Sequence, residues 1–234
     1  MNPHIYVHEV MYTVPGKEEA YMASVLSIRD DPGRADRQTH GALGQFRSVD
    51  TSGPWPGVIN IWEEDWDALA ADLAAQFHAA HRDVALEQWW NRNVHLRTGG
   101  YDRVLVPAPY SPTKRELSDR GFTGEVFLHE IIHLPLDEPD RYLDQFEQRL
   151  LPGLARHGLE LIGAFRVAMR PRQVLTIVGA PKWANLAALL AATPKDPDLH
   201  AFVEYRADVA EHVDELVLIP ARHDPFATGR PVLA

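Results

Sequence analysis

The chain carries one pattern twice, and that self-similarity restricts its fold more than any other feature. Residues 5–16, IYVHEVMYTVPG, match residues 126–137, VFLHEIIHLPLD: an aromatic, an aliphatic, then His-Glu and further apolar residues. An amphipathic stretch follows in each half, with Tyr21, Val25 and Ile28, and again Tyr142, Phe146 and Leu150, at helical spacing. His40–Gly41 and His157–Gly158 come next. A short strand then carries Phe46–Arg47 or Phe165–Arg166, and a further strand reads VINIW at 58–62 or VLTIV at 174–178. Trp66 and Trp183 open Ala/Leu-rich helices, and each copy closes on a strand ending in proline, VLVPAP at 104–109 and LVLIPA at 216–221. The offset is 121 residues at His8 and His129 and 112 at the closing strands, so small insertions and deletions separate the copies without reordering them.

Each half therefore reads β-α-β-β-α-β, the split βαβ arrangement. Such a sheet has helices on one face only, and its other apolar face must be covered. The second copy is the obvious cover. The expected architecture is α+β: two ferredoxin-like repeats in tandem, at 1–106 and 125–220, closing around an internal chamber for a small molecule. Residues 107–124, rich in Pro, Ser and charge, read as a linker, and 221–234 as a tail without periodicity. Asp137 before Pro139 is a plausible helix start in the second copy.

Composition narrows the function. The absence of cysteine excludes disulfides, thiolate metal sites and a cysteine nucleophile. A formal charge of −10 argues against nucleic acid as a partner. No apolar run approaches the roughly 20 residues of a membrane helix, and the N-terminal segment lacks the pattern of a secretory signal. A cytoplasmic protein, without a membrane partner and with a homodimer as an option, is the expectation. No phosphate loop, dinucleotide fingerprint or serine elbow is present.

The ordered set of features in the first half resembles a NIPSNAP-type domain of the dimeric α/β-barrel superfamily. The matching residues are the tyrosine-bearing first strand running into Pro15–Gly16–Lys17, the His40–Gly41 pair, Trp62 ending a strand before an acidic turn, and the closing VLVPAPYSP. The resemblance covers residues 5–112 and, more weakly, 125–225. It departs at Glu9, where the family commonly has arginine, and at Val178, which stands where the first copy has Trp62. It implies an intramolecular version of the dimeric barrel. In the wider superfamily stand cofactor-free monooxygenases, polyketide cyclases and haem enzymes.

HEIIH at 129–133 matches the zinc-protease pattern, but that chemistry needs both histidines on one helix face. The equivalent HEVMY of the first copy alternates like a strand, and on a strand imidazoles four residues apart stand roughly 13 Å from each other. The paired His-Glu matters for another reason: neighbouring strand residues face opposite sides. Either Glu9 and Glu130, with Met11, face the chamber, or His8, His129 and His133 do. An ionised glutamate under packed helices is costly unless paired, which places the glutamates in the chamber. Ile59 and Ile61 then suit the helix side and leave Asn60, Trp62 and, in the second copy, Thr176 for substrate. Arg47 and Arg166 recur at equivalent positions and could hold a carboxylate or enolate, or form ion pairs with the glutamates. His78 and His81 could chelate weakly, Trp89–Trp90 should pack between helix and last strand, and Glu63–Glu64–Asp65 read as a helix cap.

These residues point to a small-molecule enzyme without a nucleotide cofactor, acting on a hydrophobic, aromatic or polyketide-like carbonyl compound by oxygenation, cyclisation or isomerisation. Glu130 or Glu9 would be the general base, with the active centre nearer Glu130, and Arg47 or Arg166 would stabilise negative charge. The alternatives are a non-catalytic ligand-binding protein, and a haem or divalent-metal enzyme using His129, His133 or His8.

Overall fold

A computed structural model describes residues 2–29, 41–49, 55–77, 84–222 and 224–228. His40, His78 and His81 lie outside the described residues. The first half runs β1 (Ile5–Thr13), α1 (Glu18–Arg29), β2 (Gly41–Ser48), β3 (Gly57–Glu64), α2 (Trp66–Phe77), α3 (Val84–Asn93) and β4 (Arg97–Pro107). After α4 (Lys114–Arg120), the second half runs β5 (Val126–His133), α5 (Pro139–Gln145), α6 (Leu151–Arg156), β6 (Glu160–Val167), β7 (Gln173–Ala180), α7 (Trp183–Ala192), α8 (Pro197–Val209) and β8 (His212–Pro220). HEIIH thus lies on a strand. No helix among the described residues is long and apolar enough to cross a membrane.

The eight strands close into one barrel in the order β1-β3-β2-β8-β5-β7-β6-β4. Each half supplies a ferredoxin-like sheet, and the two are sewn together by β2–β8 pairing at Phe46↔Pro220 and β4–β6 pairing at Leu105↔Val167. Every neighbour is antiparallel, and β1 and β5 sit four places apart in the ring, so they face each other across the barrel and run the same way. The pseudo-twofold axis relating the copies therefore lies along the barrel axis. Lumen-facing side chains of β1 meet their own repeats from β5 there.

Strand alternation divides the residues into an inner and an outer set. Tyr6, Val10, Ile59, Ile61, Phe46, Leu105, Phe127, Ile131, Phe165, Leu175, Ile177 and Leu218 form one buried cluster drawn from both halves, which fills the lumen. Ile59 and Ile61 thus point inward, contrary to the expectation from strand 58–62, and the space between the sheets is packed with side chains rather than open as a chamber. The linker and the tail are also more than connections. Thr113 and Glu116 form a reciprocal capping box that starts α4, a Thr-x-x-Glu signal legible in the sequence. Leu117 of that helix and Phe226 of the tail join the lumen cluster, with Phe122 packed against it. Gly124 pairs with Ala227, and the Gln45 N–H donates to Asp224 at 2.6 Å.

A glycine at each copy's second strand makes this packing possible. The register shifts at Ala42/Gly44 and again at Leu161/Gly163. The bulge lets Phe46 and Phe165 lie over the glycine two residues earlier: a Cβ on Gly163 would sit 2.1 Å from Phe165 Cζ. Phe165 is fully buried and has no room to swing aside. Gly163→Ala should therefore cost about 1–3 kcal/mol, the usual range for overpacking, read as a lower urea midpoint with an unchanged slope.

Candidate active site

The expected inside–outside assignment of the His-Glu pairs is reversed in the structure. His8 and His129 reach across the lumen and meet on the axis, Nε2 to Nε2 at 2.8 Å, with rings 4.9 Å apart and nearly parallel. The axis explains the reversal, because a residue there faces its own copy. Two neutral imidazoles can pair, one donating and the other accepting, whereas two carboxylates would repel unless one kept its proton. Burial, the neighbouring imidazole and Arg103 hold His8 well below the usual histidine range, and burial lowers His129 to about 4, so the pair is neutral at pH 7. Both Nε2 atoms are engaged with each other in a packed lumen, an arrangement that does not fit a haem axial ligand. His133, at the mouth, lies 3.4 Å from Asp214. Among the described residues no three His, Asp or Glu side chains converge as metal ligands.

Arg47 and Arg166 are corrected likewise. Each follows a lumen phenylalanine by one residue and so points outward, where it is exposed and pairs with the start of its own half's first helix: Arg47 with Glu19 at 3.7 Å, Arg166 with Asp140 at 3.1 Å. Neither reaches a glutamate of β1 or β5. Of the acidic run 63–65, only Asp65 caps α2, accepting from Ala68 N–H at 2.7 Å. Glu63 turns into the barrel end and accepts from the Tyr6 hydroxyl.

Glu9, Met11, Asn60 and Trp62 lie together on the outer face of the first sheet, beneath its helices. Their neighbours there are Tyr21, Met22 and Val25 of α1, Leu86, Trp89 and Trp90 of α3, and Leu96. The site is built around one carboxylate. Asn60 Nδ2 donates to Glu9 Oε2 at 3.0 Å and Trp62 Nε1 donates to the same oxygen at 2.8 Å. Gln45 Nε2 donates to Asn60 Oδ1 at 3.1 Å and so fixes which way that amide points. Trp89, tied to the Ser24 carbonyl at 2.9 Å, stands edge-on to Trp90, and Arg97 stacks on the Trp90 ring 3.4 Å from its centroid. Asp102, directly opposite Glu9 in the β1–β4 register, is exposed at the rim.

Burial, reinforced by the negative charge of Asp102, raises Glu9 to about 7, against the pull of the Trp62 and Asn60 hydrogen bonds and of Arg97. Burial lowers Arg97 somewhat and raises Asp102. Glu9, Trp62, Trp90 and Arg97 all keep partial solvent access, so the carboxylate and the two indoles near it are reachable from outside.

The second half presents a different version of the same place. Glu130 again lies beneath helices, but Arg206 of α8 donates to it at 2.6 Å and Thr176 at 3.3 Å. Burial pushes Glu130 up while Arg206 pulls it down. Thr176 and Val178 stand where the first half has Asn60 and Trp62. Tyr142, Phe146, Leu199 and Phe202 close the space above in one packed cluster. Arg97 and Arg206 are not shared by the copies and so left no trace in the repeat, whereas the acidic residue opposite the glutamate is repeated, as Asp102 and Glu215.

No protein-family model matches the chain, and no curated protein matches it by sequence. The fold has solved counterparts over its whole length. An inferred monooxygenase of Lactobacillus acidophilus superposes with a TM-score of 0.64 at 9% identity, covering 97% of either chain. An anthrone oxidase-like protein superposes at 0.61 and 13% identity, over 99% of this chain and 97% of its own. A NIPSNAP family protein of Agrobacterium tumefaciens aligns with 44% of this chain and 94% of its own, at 22% identity and a TM-score of 0.39. At these identities the full-length likenesses establish the architecture, an intramolecular dimeric α/β barrel.

Proposed function

We propose that the protein is a cofactor-independent oxygenase of electron-rich polycyclic aromatics, working on the outer face of the first half's sheet with Glu9 as general base. The observation that carries this reading is a single carboxylate held by Asn60 and Trp62, with a proton affinity near neutrality, beside partly exposed indoles. A base that titrates near the working pH is half ionised there and still strong enough to take a weakly acidic proton. Trp62 and Trp90, both partly exposed and backed by the buried Tyr21 and Trp89, offer flat apolar surface to a fused-ring compound. Arg97 at the rim supplies positive charge for the substrate anion.

In the reaction envisaged, Glu9 removes a proton from the activated methylene of an anthrone-type substrate. The resulting carbanion passes electrons to dioxygen, and a C–O bond forms. Loss of water from the peroxide leaves a ketone, so one methylene and one dioxygen give one carbonyl and one water. The likeness to the anthrone oxidase-like protein supports the choice of probe.

The test is oxygen uptake with an anthrone as probe, alongside quinone formation by absorbance. The expected outcome is one dioxygen consumed per quinone, with a rate well above the spontaneous reaction. A rate equal to that in buffer, with saturable binding of the probe, would instead identify a ligand-binding protein and overturn the catalytic assignment.

A further inference from the structure

We propose that the mouth of the barrel, away from Glu9, is a binding site for a small oxyanion, an inorganic one or the carboxylate of a small organic acid, held by Arg103. Arg103 lies opposite His8 in the β1–β4 register and so points into the lumen. Its guanidinium lies over the Tyr101 ring, 4.3 Å from the centroid, and Tyr101 meets Tyr12 edge-on at 6.2 Å. Among the described residues, Arg103 Nε and Nη1 are buried and find no acceptor, and the Nδ1 atoms of His8 and His129 are likewise unpartnered. The tautomers of a neutral imidazole pair require one of those Nδ1 atoms to carry a hydrogen. Arg103 Nε and Nη1 thus offer two N–H donors on the lumen side of the barrel, and an anion with two or more oxygens can answer both.

The neighbouring carboxylate does not fill this role. Asp214, the acidic side chain facing the mouth from β8, is matched by His212 at 2.8 Å and His133 at 3.4 Å. Glu63 sits at the opposite end with Tyr6 and the Lys114 N–H. The repeat supplies a control for what folding requires: the position equivalent to Arg103, opposite His129, is Leu216. An apolar side chain closes the barrel there, so the fold has no need of a guanidinium, and N–H groups buried without an acceptor are costly to keep.

This site is independent of Glu9 and is tested on the intact protein with sodium acetate and sodium phosphate as probes, against sodium chloride at matched ionic strength. Wild type should show a saturable rise in Tm of about 3–6 °C, as a ligand at roughly ten times its Kd produces in a chain of this size. The imidazole resonances of His8 and His129 should move over the same concentration range. Arg103→Leu, which copies the second repeat, should fold, unfold no earlier than wild type in chloride, and lose both responses. A response to acetate alone identifies a carboxylate site, and a response to phosphate alone an inorganic oxyanion site. No saturable response beyond chloride, or the same response in Arg103→Leu, overturns the proposal. Should that variant fail to fold, the wild-type resonances decide: shifts that spare His8, His129, Tyr12 and Tyr101 sink it.

Discussion

Glu9→Gln should lower turnover of the anthrone probe about 100- to 10,000-fold, the usual contribution of a positioned general base, while the protein stays folded and still binds the probe. The amide keeps the shape of the carboxyl group and can still accept from Trp62 Nε1 at the same oxygen, so packing around Asn60 and Trp62 survives. In wild type, kcat/KM should fall on the acid side with a midpoint near pH 7, the value to which burial and Asp102 raise Glu9. Trp62→Phe removes a hydrogen bond that favours the ionised form, so the limb should move to higher pH; Asp102→Asn removes a like charge and should move it lower. Stability carries the same signature. Folded Glu9 binds its proton below about pH 7, against an ordinary 4.5, so between those values the folded state holds more protons than the unfolded one. Stability therefore falls as pH rises through that window, by on the order of 2–3 kcal/mol. Urea unfolding at pH 5 and pH 8 should show this loss in wild type and not in Glu9→Gln; equal slopes in the two proteins would place Glu9 in water.

The architecture was legible because a repeat constrains every element twice. The His-Glu pairs, the Phe-Arg strands, the tryptophans opening α2 and α7 and the closing prolines each land on equivalent elements of the two halves. What the sequence could not supply was the side of the sheet each residue faces. Alternation separates His8 from Glu9, but both are polar, and desolvation alone favours putting the carboxylate toward the chamber. The deciding term is a symmetry contact visible only once β1 and β5 are known to lie across one axis: a histidine can bond to its own copy, and a carboxylate cannot without holding a proton. Arg47 and Arg166 misled for the opposite reason. Their repetition reflects a repeated surface pairing with the first turn of a helix, Glu19 and Asp140, rather than a repeated site. The groups that distinguish the halves are unrepeated, so self-similarity was silent on Arg97, Arg103 and Arg206.

Arg206→Met should be the most destabilising of the substitutions considered, at about 3–5 kcal/mol, because removing one partner of a buried ion pair leaves the other charge without compensation. Glu130 would keep Thr176, at 3.3 Å, and the like-charged Glu215, but no cation, once the guanidinium at 2.6 Å is gone. The closed packing of Tyr142, Phe146 and Phe202 above it admits little solvent. The carboxyl group can recover by taking a proton, so the variant's deficit should shrink as pH falls and widen as pH rises, which urea unfolding across pH 5 to 8 would show. Glu130→Gln alone should also destabilise, since Arg206 would retain only Glu215 at 3.8 Å as an anionic partner. The double variant Glu130→Gln with Arg206→Met should recover more than half of the loss, a coupling expected of groups in direct contact. The equivalent change in the other half has the opposite sign: Glu9→Gln stabilises above pH 7, because Glu9 is held by neutral donors, with no cation in hydrogen-bond contact to be stranded. One position of the repeat thus serves stability in the second half through an ion pair, and in the first half sets aside stability to keep a carboxylate that can exchange its proton near pH 7. Should Glu9→Gln and Glu130→Gln prove equally destabilising at pH 8, both glutamates are structural, and the division of roles between the two halves fails.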